Sequence, residues 1–128
     1  MAEPLLIDTD VLIDYLRGRA EAVSYLESRT EPLLISAITV AELYAGVREG
    51  AERVALEQFL SVFNVISVDD VLAAAGGLIR RDYGKSHGVG LADAIIAATA
   101  EARKAELVTL NKKHFPMLSS VVTPYHKG

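Results

Sequence analysis

The sequence predicts an α/β domain in which helices cover both faces of a parallel sheet of four to five short strands. Short apolar runs alternate along the chain with longer segments whose apolar residues recur at helical spacing. Strands that are apolar throughout are typical of parallel sheets buried on both faces, which gives three layers. A chain of 128 residues without an internal repeat or a linker fits one domain, spanning residues 1–128.

The predicted strands are the short apolar runs between breaks in the helical pattern. The first run, Pro4-Leu-Leu-Ile-Asp8, ends on a carboxylate, and Pro32 marks the break before the second run. The last candidate is a two-residue strand. The predicted strands cover residues 4–8, 33–35, 65–68, 107–109 and 121–122.

The predicted helices have recognisable ends. Thr9 or Asp10 caps the first helix and Gly18 ends it, while Asp69 caps a long helix that leads to a glycine-containing loop at residues 83–90. The predicted helices cover residues 9–17, 20–29, the segment that Ser36 or Thr39 caps and Gly50 ends, and residues 51–61, 70–83 and 91–104.

Composition excludes several classes of function. The chain has no cysteine, which rules out disulfide frameworks, zinc–thiolate sites and cysteine nucleophiles. It shows neither a signal-peptide pattern nor an apolar stretch of about 20 residues, so we expect a cytoplasmic protein without a membrane span.

The net charge is −4, and it is unevenly distributed along the chain. Lys and Arg number 5 against 11 Asp and Glu in residues 1–64, and 8 against 6 in residues 65–128. This asymmetry indicates either a polyanionic partner or an ordinary solvated surface.

Three acidic residues occur at the end of a predicted buried strand or inside apolar helical segments. Ligands of parallel sheets bind beyond the carboxyl ends of the strands, where the first predicted strand places Asp8. Glu42 and Asp93 lie inside apolar helical segments, and burying an unpaired carboxylate costs several kcal/mol. Carboxylates that converge there would repel one another without a cation, and Mg²⁺ prefers carboxylate and water oxygens. We therefore predict a divalent-cation site formed by Asp8, Glu42 and Asp93.

Each of these residues also has an ordinary structural explanation. Asp8 could cap the first helix. Glu42 matches a capping box with Thr39, because T-V-A-E fits the S/T-x-x-E pattern. Asp93 could interact with the dipole of its helix, which contributes about 0.3–1 kcal/mol. Only the convergence of the residues on one edge of the sheet favours a metal site.

Four motifs in order resemble the PIN-domain family, and most closely its VapC-type toxin branch. They are LLIDTDVLIDYL, ISAITVAELYAG, LADAIIAATA and LVTLNKKHF, and they span Leu5 to Phe115. The resemblance implies a PIN-like α/β/α fold and an endoribonuclease that acts as the toxin of a toxin–antitoxin pair. It also implies that Asp8, Glu42 and Asp93 bind Mg²⁺, with Mn²⁺ as a substitute, to activate the attacking water.

The family usually carries a fourth polar or acidic residue after the fourth strand. Asn111 occupies that segment and is assigned a catalytic role as a water-mediated contact, while His114 stands where an aspartate is common. His114 either touches phosphate or is an exposed loop histidine without a role. Basic residues beside the predicted site would neutralise RNA phosphates, although solvated helix ends explain them as well. These predicted RNA contacts are Arg80, Arg81, Lys85, Lys112 and Lys113.

The resemblance also implies partners. The substrate is RNA, with structured RNA such as tRNA as the default, and a VapB-like antitoxin would block the acidic pocket with its tail. A homodimer is expected, with no membrane partner. The apolar residues that belong either to the core or to the dimer surface are Leu43, Tyr44, Val47 and Phe59.

Two alternatives remain open at this point. LLIDTDVLI also resembles the D-x-D motif of haloacid-dehalogenase-type phosphatases, with Asp8 as nucleophile and Asp10 as general acid/base. Against this, Leu12 replaces the expected Thr or Val, and Asp93 stays unexplained. Otherwise Asp10 and Asp14, which share a helix face near Asp8, either enlarge the acidic pocket or reflect solvent exposure and capping, and we attribute them to the latter and leave them out of the catalytic set. The second alternative is a PIN-like module that binds RNA or a partner without cleaving.

Overall fold

Five parallel strands form the central sheet of residues 3–127, the part of the chain that this computed structural model describes. The strands are β1 (Leu5–Ile7), β2 (Leu33–Ser36), β3 (Asn64–Ile66), β4 (Glu106–Val108) and β5 (Val121–Val122). The helices are α1 (Thr9–Leu16), α2 (Ala20–Glu27), α3 (Ala37–Ala45), α4 (Ala51–Leu60), α5 (Asp70–His87) and α6 (Leu91–Arg103), followed by a 3₁₀ turn at Lys112–His114. None of these helices is both long and apolar enough to cross a lipid bilayer.

The strand order β3-β2-β1-β4-β5 places β1 at the centre of the sheet. The chain runs outward from β1 through β2 to β3 and then returns to the other side of β1 with β4, so the direction of winding changes between β1 and β4. Such switch points open a crevice at the carboxyl ends of the strands. Ile7 pairs with Val108, and the backbone N–H of Asp8 donates to the carbonyl oxygen of Val108 at 2.9 Å. The residues after β1 and β4 therefore lie side by side.

Two apolar clusters pack on opposite faces of the sheet, which confirms the predicted three-layer α/β/α architecture. Leu5 and Ile7 face one cluster, which includes residues of α1, α2 and α4, and Leu6 faces the other with residues of α5 and α6. Each fully buried aliphatic side chain stabilises the fold by about 1.5–3 kcal/mol. Leu43 belongs to the first cluster, and the partly buried side chains packed against it include Tyr44, Val47 and Phe59.

Several predicted helix ends are wrong because capping depends on backbone geometry. Asp8, and not Thr9 or Asp10, caps α1, since its carboxylate accepts a hydrogen bond from the backbone N–H of Thr9. Gly46, and not Gly50, follows α3. Gly50 has a φ of 95° and instead precedes α4, where the left-handed conformation suits a glycine.

The predicted loop at residues 83–90 is mostly helix. Helix α5 continues to His87, and Gly88 ends it in the left-handed conformation with a φ of 65°. Gly84 lies within α5 and does not break the helix, and the side chain of Arg80 occupies the space where a Cβ of residue 84 would stand. As a consequence Lys85 lies on α5, together with the predicted RNA contacts Arg80 and Arg81.

Gly76 allows α5 to pack closely on α6. A Cβ at position 76 would lie 2.7 Å from Cγ1 and 3.0 Å from Cα of Ile95, whereas a Cβ at Gly77 would meet nothing within 4 Å. We expect Gly76→Ala to lower the free energy of unfolding by about 1–3 kcal/mol, as overpacking does. The matched variant Gly77→Ala should be neutral or stabilise the helix by up to about 1 kcal/mol. Urea denaturation measures both, and equal effects of the two variants would contradict the close packing.

Candidate active site

Asp8 lies at the centre of the carboxyl edge of the sheet, directly after β1. Its side chain is buried, with 6% of the residue exposed. One carboxylate oxygen accepts the backbone N–H of Thr9 at 2.8 Å, and the other accepts the hydroxyl of Thr109 at 2.7 Å. Asp8 therefore caps α1 and at the same time faces the edge where ligands of such sheets bind, so the capping explanation and the site explanation hold together.

The surroundings of Asp8 disfavour its negative charge. Burial raises the pKa of Asp8 from 3.8 to about 7, and the nearby charge of Asp10 contributes to this rise. Hydrogen bonds from Thr109 and Thr9 oppose the shift, while the charge of Asp93 adds to it. The raised pKa means that the folded chain disfavours the charged form of this carboxylate. A cation beside Asp8 would restore its charged form.

Asp10 also belongs to this edge, although we attributed it to solvent exposure and capping. Its Oδ2 atom accepts hydrogen bonds from the backbone N–H of Leu110 at 3.1 Å and from the side-chain amide of Asn111 at 3.2 Å. Within the described residues, no partner reaches its buried Oδ1 atom. Burial is the main cause that raises the pKa of Asp10. The expectation was wrong because the loop after β4 packs over the first turn of α1.

Glu42 reaches the same edge from α3. Ser36 caps α3 and the helix begins at Ala37, so Thr39 lies inside the helix and the predicted capping box with Glu42 does not form. Instead, Oε1 of Glu42 accepts the hydroxyl of Thr9 at 2.7 Å, and that hydroxyl lies 3.0 Å from the hydroxyl of Thr39. Thr9, the first residue of α1, thereby links α1 to α3.

Asp93 stands in the first turn of α6 and faces the loop after β4. Its Oδ2 atom lies 3.4 Å from Nδ1 of His114, and its side chain is 29% exposed. Burial is the main cause that raises the pKa of Asp93, the charge of His114 opposes this, and the charge of Glu42 adds to it. We expected a buried carboxylate, because Asp93 lies inside an apolar helical segment. The first turn of α6 is more open than residues 96–100 of the same helix, which are all buried.

The predicted carboxylates influence one another without closing around one point. Asp93 raises the pKa of Asp8, and Glu42 raises the pKa of Asp93. Within residues 3–127, however, no group of three His, Asp or Glu side chains is placed to hold a metal ion. The donor set consists of hard oxygen atoms with an excess of negative charge, which suits a divalent cation. An ion shared by the three carboxylates therefore requires side-chain rotations at Glu42 or Asp93, the more exposed members.

Within the part of the chain that the structure describes, the side chain of Asn111 forms a hydrogen bond with Asp10 and none with the three predicted metal ligands. Its side-chain amide donates to Oδ2 of Asp10, and its backbone N–H donates to the hydroxyl of Thr109 at 3.1 Å. Asn111 and Thr109 thus hold the loop after β4 against the start of α1. Sequence reasoning missed Thr109, whose signal was its position directly after β4, equivalent to that of Asp8 after β1.

The predicted RNA contacts are exposed on two separate elements. Lys112 and Lys113 form the 3₁₀ turn with His114, next to Asp93. On α5, the guanidinium of Arg81 already pairs with Asp82 at 2.9 Å. The other two predicted RNA contacts on this helix, Arg80 and Lys85, are also exposed.

Asp14 is a structural residue rather than an exposed one. It is 5% exposed, and its carboxylate accepts the hydroxyl of Tyr125 at 2.7 Å and pairs with Nζ of Lys127 at 3.0 Å. Although burial acts in the opposite direction, these partners hold the pKa of Asp14 below its usual value. Asp14 therefore fastens the C-terminal segment to α1, close to the carboxylate of Asp10.

The chain as a whole is similar to known nucleases. The sequence model of the PIN-domain family matches residues 5–118. The chain is 41% identical to Ribonuclease VapC10 of Mycobacterium tuberculosis, over 94% of this chain and 92% of that protein. It is 34% identical to Ribonuclease VapC1 of Methanocaldococcus jannaschii, over 89% of this chain and 80% of that protein. Among solved structures, a toxin–antitoxin complex from Klebsiella pneumoniae superposes with a TM-score of 0.83 at 36% identity, covering 96% of this chain and 99% of that one.

Proposed function

Because the chain belongs to the PIN-domain family and to its VapC ribonucleases, we propose that it hydrolyses RNA phosphodiester bonds internally as the toxin of a toxin–antitoxin pair. PIN-domain VapC ribonucleases are generally dependent on divalent metal ions. We assign Mg²⁺ to this chain, with Mn²⁺ as a substitute. The observation that supports the assignment best is the carboxylate edge, where Asp8, Glu42 and Asp93 lie close enough for their charges to affect one another and offer the hard oxygen donors that a divalent cation prefers. We further propose that residues 1–128 act as one nuclease domain in the cytoplasm.

Asp8 and Asp93 are the proposed direct ligands, and Glu42 either ligates or takes a proton from the attacking water. When bound, the cation supplies positive charge for the transition state and lowers the pKa of a water molecule. Thr109 and the backbone of Thr9 hold both oxygens of Asp8 in place, which limits its rotation. Within the described residues Glu42 forms one hydrogen bond, to the hydroxyl of Thr9, so fewer hydrogen bonds restrain its carboxylate than restrain that of Asp8.

The experiment that tests this function is cleavage of a tRNA preparation with added Mg²⁺ or Mn²⁺, compared with excess EDTA. We expect site-specific fragments with either ion and none with EDTA. Cleavage that continues in EDTA would contradict the metal-dependent mechanism. A folded protein that binds RNA without cleaving it with either ion would favour the non-cleaving module.

Membership of the PIN-domain family argues against the phosphatase alternative. Its general acid/base would be Asp10, which must reach the substrate. Oδ2 of Asp10 instead accepts hydrogen bonds from the loop after β4, and its Oδ1 atom is buried. We expect Asp10→Asn to leave a substantial part of the RNA cleavage, whereas it would abolish a phosphatase.

The antitoxin has a suitable groove beside the site. A cavity of about 540 Å³ lies between α1, α3 and α4, and its lining includes Glu42 together with the apolar side chains of Ile13, Leu16 and Val47. An amphipathic tail could place apolar residues there and a cation at the carboxylate edge. We propose this groove as the docking site of a VapB-like antitoxin. A short reading frame beside the gene, whose product co-purifies with the chain and suppresses cleavage, would support the pairing.

The proposed homodimer requires a surface that the core leaves exposed. Leu43 is buried within the chain, and Phe59 stacks on Tyr15, so neither is the leading dimer residue. Val71 and Leu78, which stand seven residues apart on α5, are 71% and 51% exposed. These side chains share one helix face and are better candidates. Sedimentation that shows only monomer at high concentration would argue against the dimer.

Lys112 and Lys113 test the proposed path of the RNA. We expect the double variant Lys112→Glu, Lys113→Glu to weaken RNA binding at least about tenfold at low salt and less at high salt, because phosphate contacts are screened by ions. Lys104, which precedes β4 at the opposite edge of the sheet, provides the control. Fluorescence anisotropy with a catalytically inactive protein measures the binding. Unchanged affinity at every salt concentration would remove these lysines from the path.

A further inference from the structure

His114 is held beside Asp93 by the local fold. It closes the 3₁₀ turn after β4, where its backbone N–H donates to the carbonyl oxygen of Asn111 at 2.9 Å. The next residue, Phe115, is 1% exposed and anchors the turn in the apolar cluster under α6. The imidazole itself is 40% exposed. The backbone therefore fixes where the ring stands and leaves its face accessible.

The distance between the two side chains is informative. Nδ1 of His114 and Oδ2 of Asp93 are 3.4 Å apart. Charge-assisted hydrogen bonds between such groups are typically about 2.7–2.9 Å long. Neighbouring ligands of an octahedral ion with bonds of about 2.1 Å are about 3.0 Å apart. The pair is thus too far apart for a tight ion pair, and a shift of a few tenths of an ångström would bring both atoms onto one ion.

Resting on the proposed metal-dependent function, we propose that His114 is a direct imidazole ligand of the cation that Asp93 binds, so that the site binds Mn²⁺ more tightly than Mg²⁺ while still accepting Mg²⁺. An imidazole supplies a donor atom without another negative charge. That matters at this edge, where the carboxylates of Asp10, Asp93 and Glu42 already oppose the ionisation of their neighbours. Mg²⁺ prefers oxygen donors and retains its water, whereas nitrogen donors favour later divalent ions.

Pulsed electron paramagnetic resonance of the full chain loaded with Mn²⁺ tests ligation directly. A coordinated imidazole produces nitrogen-14 modulation of the Mn²⁺ echo, and the chain has only three histidines, His87, His114 and His126. We expect modulation in the wild type and in His126→Gln and His87→Gln, and its loss in His114→Asp. The variant retains an oxygen donor at the position, so it should still bind Mn²⁺.

Calorimetry gives a second measurement that does not depend on cleavage. We expect the ratio of Mg²⁺ to Mn²⁺ dissociation constants to fall at least about tenfold in His114→Asp, because the ligand set becomes entirely oxygen. Mn²⁺ that binds without nitrogen modulation, or modulation that persists in His114→Asp, overturns the role of His114 and leaves the metal site standing. Failure of the wild type to bind either ion overturns both proposals, whereas binding of Mg²⁺ without Mn²⁺ overturns only the role of His114.

Discussion

Asp8→Asn is expected to reduce metal-dependent RNA cleavage by about 10²–10³-fold, the scale expected when one group that stabilises transition-state charge is removed. The amide retains an oxygen that can accept the backbone N–H of Thr9, so α1 should keep its cap. It cannot supply the negative charge that a cation needs. Asp93→Asn should have an effect of the same order. Initial cleavage rates at saturating Mg²⁺, with circular dichroism to verify folding, measure the loss.

Asp69 provides a matched control for the loss of activity. It follows the strand region of β3 and caps α5 by accepting the backbone N–H of Leu72 at 2.9 Å, a role that Asn also performs. Asp69→Asn should therefore keep the cleavage rate within about twofold, as surface changes away from the chemistry do. If Asp8→Asn cleaved RNA as fast as the wild type, the assignment of the carboxylate edge would be wrong.

The stability of the metal-free protein is expected to fall as pH rises from 5 to 8. The folded-state pKa of Asp8 is about 7, compared with 3.8 for the unfolded chain. Between these values the folded protein binds more protons than the unfolded one, so raising the pH lowers the free energy of unfolding by up to about 1.4 kcal/mol per pH unit. The raised pKa values of Asp10 and Asp93 act in the same direction. The total expected loss is about 2–4 kcal/mol.

Urea denaturation in EDTA at several pH values measures this dependence, and two comparisons identify its source. Asp8→Asn should flatten the slope, because the residue no longer titrates. Saturating Mn²⁺ should raise the stability most at pH 8, where the carboxylates are charged. Asp14 does not interfere, since its lowered pKa stabilises the fold above the unfolded value and that contribution is lost only at acidic pH. Stability that rises from pH 5 to 8 in EDTA would contradict the raised pKa of Asp8.

The fold was predictable because its signals are local. Apolar runs such as residues 5–7 and 107–108 are buried on both faces, and this burial is what favours a parallel sheet. Helix ends were less predictable, because Gly84 reads as a break in the pattern and yet continues α5 under the side chain of Arg80. Gly88 is a glycine of the same predicted loop, but it does end the helix, because its backbone adopts a positive φ.

The sequence alone was sufficient for three conclusions: the alternation of strands and helices, the placement of Asp8 after the first strand, and the motifs that indicated the family. The partners of the acidic side chains came only from the folded chain. Thr109 contacts Asp8, Leu110 contacts Asp10, and Tyr125 contacts Asp14 across separations of 101, 100 and 111 residues. Local periodicity carries no information about such pairs, because the packing of whole elements against one another sets the distance between them.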